Sequence, residues 1–474
     1  MHRALTYNTL ISFGTRMVSV ILGLFSLGIT ARLLGVQEFG LYSTALTWAY
    51  IISFIADLGL YNLMVREIGR KEGSEEEEVV SDMFTMRLLS LAVFFGVGLL
   101  IGVLSPWTFN ISLFVIALAS LQYGFLSLSQ VLMAIFQKHL KLTLPSIAEI
   151  TGRLLTLGGL LYLFFIRRQG NYELVLVFFS IGALAIFCLN FFWARGLVSF
   201  RLRFHLGRLK QLLRQTLPIA ASIIFTALYF KLDTLFIAYF RGQTEVGLYN
   251  AAYRLLETMI FFPAMFVGIL MPQLSKYALT DSKRFKAMFQ GAFDIILLFG
   301  LPLCLGIFFE SKAIMSIIAG KAFLASSGAL EILSFGMLMI FFGSLFSNAL
   351  LALNLQKSLA WIYFTGALFS IGVNVAVIPL WGYIGAAVTT LFTEALVTML
   401  MVRRIQTFVL DRLGFARVPP VLFSSLAMSL FLYATDFGLA VSIFGAVVVY
   451  SVSLFATKGI TKGDISILWQ SEAV

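Results

Sequence analysis

A chain of 474 residues with 60% apolar side chains and only 12% charged ones is not a soluble domain, because soluble domains carry about 25% charged residues. Its two cysteines, Cys188 and Cys304, exclude a disulfide scaffold, and its three histidines, His2, His139 and His205, lack metal-ligand spacing. The net charge of +11 would suit a nucleic-acid binder, but its distribution along the chain assigns it to membrane topology, so no nucleic-acid partner is expected.

The fold class read from this pattern is an all-α integral membrane protein with about 14 transmembrane helices. Apolar spans are predicted over 8–32, 41–64, 83–104, 111–136, 143–166, 171–194, 215–240, 246–275, 287–309, 325–353, 358–379, 382–402, 419–435 and 439–456. The first run, from about Asn8 to Leu34, is too long for a cleavable leader and is expected to serve as its own signal. The acidic run Glu75 to Glu78 reads as a solvated loop surface. Pro419 and Pro420 open the thirteenth span, as suits a helix start.

With the N-terminus in the cytoplasm, 24 of the 34 lysines and arginines fall in cytoplasmic loops and tails. They include Arg3, then Arg66, Arg70, Lys71 and Arg87, then Lys138 and Lys141, then Arg208, Lys210 and Arg214, and Lys462 in the tail. Six lie on the opposite face and four within spans. This bias predicts both termini inside. No loop is long enough to form a domain, and no glycine-rich phosphate loop, HExxH or GxSxG is present. A membrane glycan polymerase or ligase would need an acid/base constellation at the outer face; the outer loops hold neither paired carboxylates nor a histidine.

One motif occurs twice. ARLLGVQEFGLYSTA runs from Ala31 to Ala45, and AYFRGQTEVGLYNAA from Ala238 to Ala252. Ala31, Gly35, Glu38, Gly40, Leu41, Tyr42 and Ala45 recur 207 positions later as Ala238, Gly242, Glu245, Gly247, Leu248, Tyr249 and Ala252. Each copy reads as a glycine-rich turn between two spans. The chain is therefore two similar halves: an N-lobe over 1–203 with spans one to six, and a C-lobe over 204–406 with spans seven to twelve. Residues 407–474 add an unrepeated helix pair and a cytoplasmic tail. Six spans per half is even, so the repeat is parallel, and such transporters bind substrate between halves and move by rocking.

The ordered motifs resemble the polysaccharide-transporter branch of the multidrug/oligosaccharidyl-lipid/polysaccharide (MOP) exporter superfamily, the Wzx-type lipid-linked oligosaccharide flippases. The resembling stretches are LLGVQEFGLY, DLGLYNLMVREIG (Asp57 to Gly69), YFKLDTLFIAYFRGQTEVGLYNAAYRL (Tyr229 to Leu255), the pairs Gln137-Lys138 and Gln356-Lys357 as ends of the fourth and tenth spans, and GYIGAAVTTLFTE (Gly382 to Glu394). The resemblance covers roughly residues 1–406. It implies a flippase in the plasma (inner) membrane of a prokaryote. Such a protein moves a polyprenyl-diphosphate-linked glycan to the outer leaflet by alternating access, among membrane lipids and beside glycan-assembly enzymes.

Charge at membrane depth is costly, so each instance is a functional candidate. Arg16, Arg153, Lys231 and Arg254 are the candidate cavity cations for a diphosphate. Asp57, Glu149, Asp233, Glu257 and Glu394 are candidates for coupling or gating; no cofactor is expected, and H+ or Na+ are the candidate coupling ions. The competing structural reading is internal pairing: Glu149 with Arg153 at i,i+4 and Arg254 with Glu257 at i,i+3. Lys231 and Asp233, at i,i+2, do not face each other, and Arg16 has no opposite charge within a turn. Asp57 lies toward the cytoplasmic end of span two near Arg66, while Asp294 and Glu331 are expected to snorkel. The alternative function is a cation-coupled exporter of drugs or other small molecules from the same superfamily, which would favour an acidic, aromatic cavity.

Overall fold

A computed structural model describes residues 2–69, 71–104, 111–167, 170–204, 230–407, 414–435 and 438–459, together with isolated positions between 205 and 229; side chains are described from residue 14. The side chains of His2 and Arg3, the residues His205, Arg208, Lys210, Arg214 and Lys462, and most of the first part of the seventh predicted span lie outside the described residues. Among the described residues the chain is helical without strands.

The first helix, α1, runs His2–Asp57. Fifty-six residues would span roughly 80 Å, far more than one bilayer crossing. Gly35, with φ 66° and ψ −178°, breaks it into two spans. Its repeat partner Gly242 has φ 87°, at the turn between α7 (described over 230–240) and α8, Gln243–Thr280. Two glycines 207 positions apart thus both take a positive φ, which is the backbone signature of the duplication.

The second span ends earlier than predicted. Leu58 (φ 51°) and Gly59 (φ 76°) turn the chain after Asp57, and a separate short helix, α2, covers Leu60–Ile68. The next helix, α3 (Ser74–Leu104), starts earlier than predicted, so Glu75, Glu76 and Glu77 form its first turn, where acidic groups suit the helix dipole. The solvated-surface reading of this run holds for the exposed Glu75, Glu77 and Glu78 and is corrected for Glu76. Glu76 is buried, ion-paired to Lys138 and 2.9 Å from His139 Nε2. Glu78 meets Arg203 at 3.1 Å.

Helices α4 (Leu113–Lys138), α5 (Thr143–Leu161, continued by a π turn over Tyr162–Arg167) and α6 (Tyr172–Arg195) complete the first six spans. Small residues let α5 and α6 approach closely. A Cβ on Gly152 would lie 2.5 Å from the Gly182 carbonyl, and one on Gly182 would lie 2.6 Å from the Gly152 carbonyl. Close backbone approach through small residues is how helices pack where no water drives them together.

Beyond α8 come α9 (Ser282–Phe309), α10 (Ser311–Ile318), α11 (Ser326–Ala352), α12 (Gln356–Gln406), α13 (Val418–Ala434) and α14 (Leu439–Ala456). Like α1, α12 is two spans joined at a glycine, Gly382 (φ 58°, ψ −141°). Ten described helices, these two composites among them, are long and apolar enough to cross a membrane. The Gln-Lys pairs are not equivalent. Gln137-Lys138 ends α4, whereas Gln356-Lys357 opens α12. The true counterparts are the turns at Leu140 (φ 53°) and Asn354 (φ 59°), closed by Lys141 N–H to Phe136 O and Leu355 N–H to Leu350 O.

The chain divides into two units. One holds residues 1–251 with 318–322 and 374–383; the other holds 252–317, 323–373 and 384–474. In the first, α4 and α5 pack on α6, and α1 on α5. In the second, α9 packs on α11 through Phe289, Phe293, Phe342 and Phe346, and α13 and α14 pack on each other and on α9. The two acids expected to snorkel have protein partners: Asp294 lies 3.4 Å from Arg417 Nε and accepts from Gln290, and Glu331 accepts from the Ser311 hydroxyl at 2.8 Å.

Candidate functional site

The two copies of the repeated motif interlock within the first unit. A Cβ on Gly40 would lie 1.8 Å from the Gln243 carbonyl oxygen; a Cβ on Gly247 would lie 2.0 Å from the Val36 carbonyl oxygen. Residues 36 and 40 correspond to 243 and 247, so the contact is reciprocal, as a two-fold relation between the halves requires. Thr44 Oγ1 donates to Gln243 Oε1 at 2.7 Å across the same crossing. The motif carboxylates also play matching parts. Glu38 accepts from the backbone N–H of Tyr172, which opens α6. Glu245 accepts from the backbone N–H of Tyr383 at 2.9 Å, just past the Gly382 break. Each carboxylate satisfies an N–H that a helix start leaves without an intrahelical partner.

Two of the candidate cations meet on the facing sides of α1 and α5. Glu149 Oε1 accepts from Arg153 Nε at 3.2 Å and Nη2 at 3.0 Å, and Glu149 Oε2 lies 3.7 Å from Arg16 Nη1. Each carboxylate oxygen serves one guanidinium. The three side chains keep 54%, 38% and 24% exposure for Arg16, Arg153 and Glu149, so the cluster is open on one side and carries one net positive charge. Gly23 makes room for it, since a Cβ there would come within 3.2 Å of Arg153 Nη1. Arg16 thus has the cross-bundle counter-ion that its own helix does not supply, and Glu149 neutralises Arg153 only in part.

The other candidates have neighbours of their own. Lys231 is buried, its Nζ 5.5 Å from the centroid of the Tyr50 ring, and that ring packs on Phe54 and Tyr123. Asp233 is also buried and accepts a hydrogen bond from the Tyr249 hydroxyl. As their i,i+2 spacing requires, they serve different neighbours. Arg254 and Glu257 sit one turn apart and half-buried on α8, in the second unit. Glu394, also there, is buried on α12 near the phenol of Tyr363, which hydrogen-bonds Ser347.

Asp57 pairs with Arg87, not with Arg66. Arg87 keeps 1% exposure, and Asp57 also accepts from the Gly59 N–H at 3.2 Å. Counting Arg87 among the loop cations is therefore corrected: it is a buried charge on α3, paired to Asp57. The signal that could have found it was a charge on the helical face of Met83, Phe84 and Leu91. A second missed signal is the spacing of Arg16, Ser19, Gly23, Ser26 and Thr30, a polar stripe at alternating steps of three and four along α1. Among the described residues no cluster of His, Cys, Asp and Glu suits a metal ion.

Comparison with known proteins now bears on these features. The pattern of the family described as polysaccharide biosynthesis protein matches residues 5–278. The chain belongs to that family. A curated relative, the probable low-salt glycan biosynthesis flippase Agl15 of Haloferax volcanii, is 24% identical over 414 residues, 86% of this chain and 85% of its own length. In fold, the chain is similar to the lipid II flippase MurJ in an inward closed conformation, with TM-score 0.78 and 17% identity over 94% of this chain and 97% of that one. It is also similar to an inward-facing multidrug resistance MATE transporter of the MOP superfamily, with TM-score 0.62 and 13% identity over 83% of this chain and 98% of that one. The protein is thus a multi-pass membrane protein of MOP-type fold.

Proposed function

We propose that the protein flips a polyprenyl-diphosphate-linked oligosaccharide from the cytoplasmic to the outer leaflet of a prokaryotic plasma membrane, by alternating access and without covalent catalysis. Family membership and the flippase name of the Haloferax relative support this reading. The observation that carries it is the Arg16–Glu149–Arg153 cluster. Two guanidiniums share a single carboxylate on a half-exposed face inside apolar helices. Such a surplus of fixed, forked donors matches the oxygens of a diphosphate and offsets the cost of moving phosphate charge into a low-dielectric interior. Lys231 and Arg254 are the second-half cations in this proposal.

The buried carboxylates Asp233 and Glu394 are the proposed carriers of coupling H+ or Na+, and glycan-assembly enzymes the proposed neighbours. The Lys/Arg bias supports a cytoplasmic position for both termini in this proposal. The likeness to a MATE transporter supports the drug-exporter alternative in fold only, and a net-positive cluster suits organic cations poorly.

The experiment is transport of a short-chain lipid diphosphate oligosaccharide in vesicles reconstituted with purified protein. Arg16→Ala abolishes transport in folded protein and Arg16→Lys retains part of it. Losing a charge-assisted contact costs about 1.5–3 kcal/mol. Normal transport by folded Arg16→Ala, or transport of organic cations but not of the lipid diphosphate, overturns the reading.

A further inference from the structure

We propose that Glu149 is the resident anion of the arginine pair. Its carboxylate holds the place that a phosphate of the substrate takes on loading, and reclaims it on release. The inference rests on the proposed diphosphate substrate. The geometry motivating it is the division of labour in the cluster: Oε1 faces Arg153 at 3.0 Å and Oε2 faces Arg16 at 3.7 Å. A carboxylate joining two guanidiniums through separate oxygens is a stereochemical stand-in for a phosphate joining them in the same way.

Three features make the carboxylate exchangeable. Arg16 and Arg153 remain 54% and 38% exposed, so neither guanidinium is enclosed by the protein and an incoming anion can reach both. The Arg16 contact, at 3.7 Å, is longer than the 3.0 Å contact to Arg153, so the cross-helix half of the bridge is the looser one. Glu149 is on the same helix as Arg153, one turn before it, and stays beside the site after it is displaced. Without Glu149 the unloaded cluster would hold two like charges inside a membrane protein, at high cost. With it the unloaded state is stabilised, and the anion must compete for the arginines. Glu149 thus sets affinity low enough for the headgroup to leave, because a ligand can shift the site only by its differential interaction with the two states.

The test measures binding of farnesyl diphosphate, with farnesol as the uncharged control, to the full-length detergent-purified protein and to Glu149→Gln and Glu149→Ala variants. Both variants bind farnesyl diphosphate about ten- to a hundredfold more tightly than the native chain, bind farnesol unchanged, and turn over the lipid-linked substrate more slowly in vesicles because release is slowed. Unchanged or weaker diphosphate binding in a folded variant overturns the proposal, and so does failure of both variants to fold, since Glu149 is then a structural ion-pair member. The two readings fail separately. If Arg16→Ala loses diphosphate binding while Glu149→Gln binds as the native chain does, the resident-anion idea falls and the flippase reading stands. If the native chain and Glu149→Gln both ignore farnesyl diphosphate, the substrate reading falls with it.

Discussion

Gly40 and Gly247 sit back to back in the crossing of the two motif copies, each against the carbonyl four residues before the other. The obstacle on either side is backbone, which cannot rotate away. Gly40→Ala and Gly247→Ala therefore force the two helices apart, and each is expected to abolish transport or prevent folding. Gly158→Ala, where a Cβ meets nothing within 4 Å, is the control and should be silent. Transport in vesicles and the thermal midpoint of purified protein check both outcomes.

The motif glutamates act as caps for distant helix starts. Glu245→Ala leaves the Tyr383 N–H without its acceptor and is expected to cost about 1–2 kcal/mol. Glu245→Gln keeps an acceptor oxygen and costs less. The ion pair of Glu245 with Arg241, at 2.8 Å but with Arg241 40% exposed, adds little, so Arg241→Ala should leave stability nearly unchanged. Unfolding of the three variants in mild denaturant separates these effects, and equal losses for Glu245→Ala and Arg241→Ala would contradict the capping role.

The Asp57–Arg87 pair is deeply buried. Removing one partner strands the other, so Asp57→Asn or Arg87→Met alone should destabilise by about 3–5 kcal/mol. The double variant should recover much of the loss, because two neutral side chains leave no uncompensated charge. A double-mutant cycle on folded yield and thermal midpoint measures the coupling. Additive losses would mean that the two residues do not act as a pair.

The appended helices are anchored to α9. Gly414 exchanges two hydrogen bonds with Gln290, at 2.8 and 2.9 Å; Arg417 faces Asp294, and the Tyr450 hydroxyl donates to the Leu298 carbonyl at 2.7 Å. A chain ending near Phe408 should still insert its first twelve spans, since each span carries its own apolar signal. It should be less stable than the full chain, because α9 loses a packed face and Asp294 its arginine. Glycosylation-site mapping of insertion, beside the thermal midpoint, checks this, and misinsertion of the earlier spans would contradict it.

Much of the architecture was legible in the sequence because the bilayer imposes a length and a polarity that any apolar run must satisfy. The spans, the 207-residue duplication and the glycine turns at Gly35 and Gly242 follow from composition and spacing alone. Helix ends were less legible. Asp57 ends a span and Ser74 starts one because of turns at Leu58 and Gly59 and tertiary partners for Glu76, none of which leaves a periodic trace. Partnership was the least legible. The sequence by itself marked Arg16, Glu149, Arg153 and Asp57 as costly charges, and offered Glu149 to Arg153 through their shared helix turn. Only the tertiary structure brought Arg16 on α1 to the second oxygen of that carboxylate, gave Asp57 to Arg87 rather than to Arg66, and set Gly40 against Gly247. The physical reason is range. Periodicity reports which face of a helix is apolar, but a contact between helices depends on their packing and rotation, and these are settled by close approach of backbones far apart in the chain.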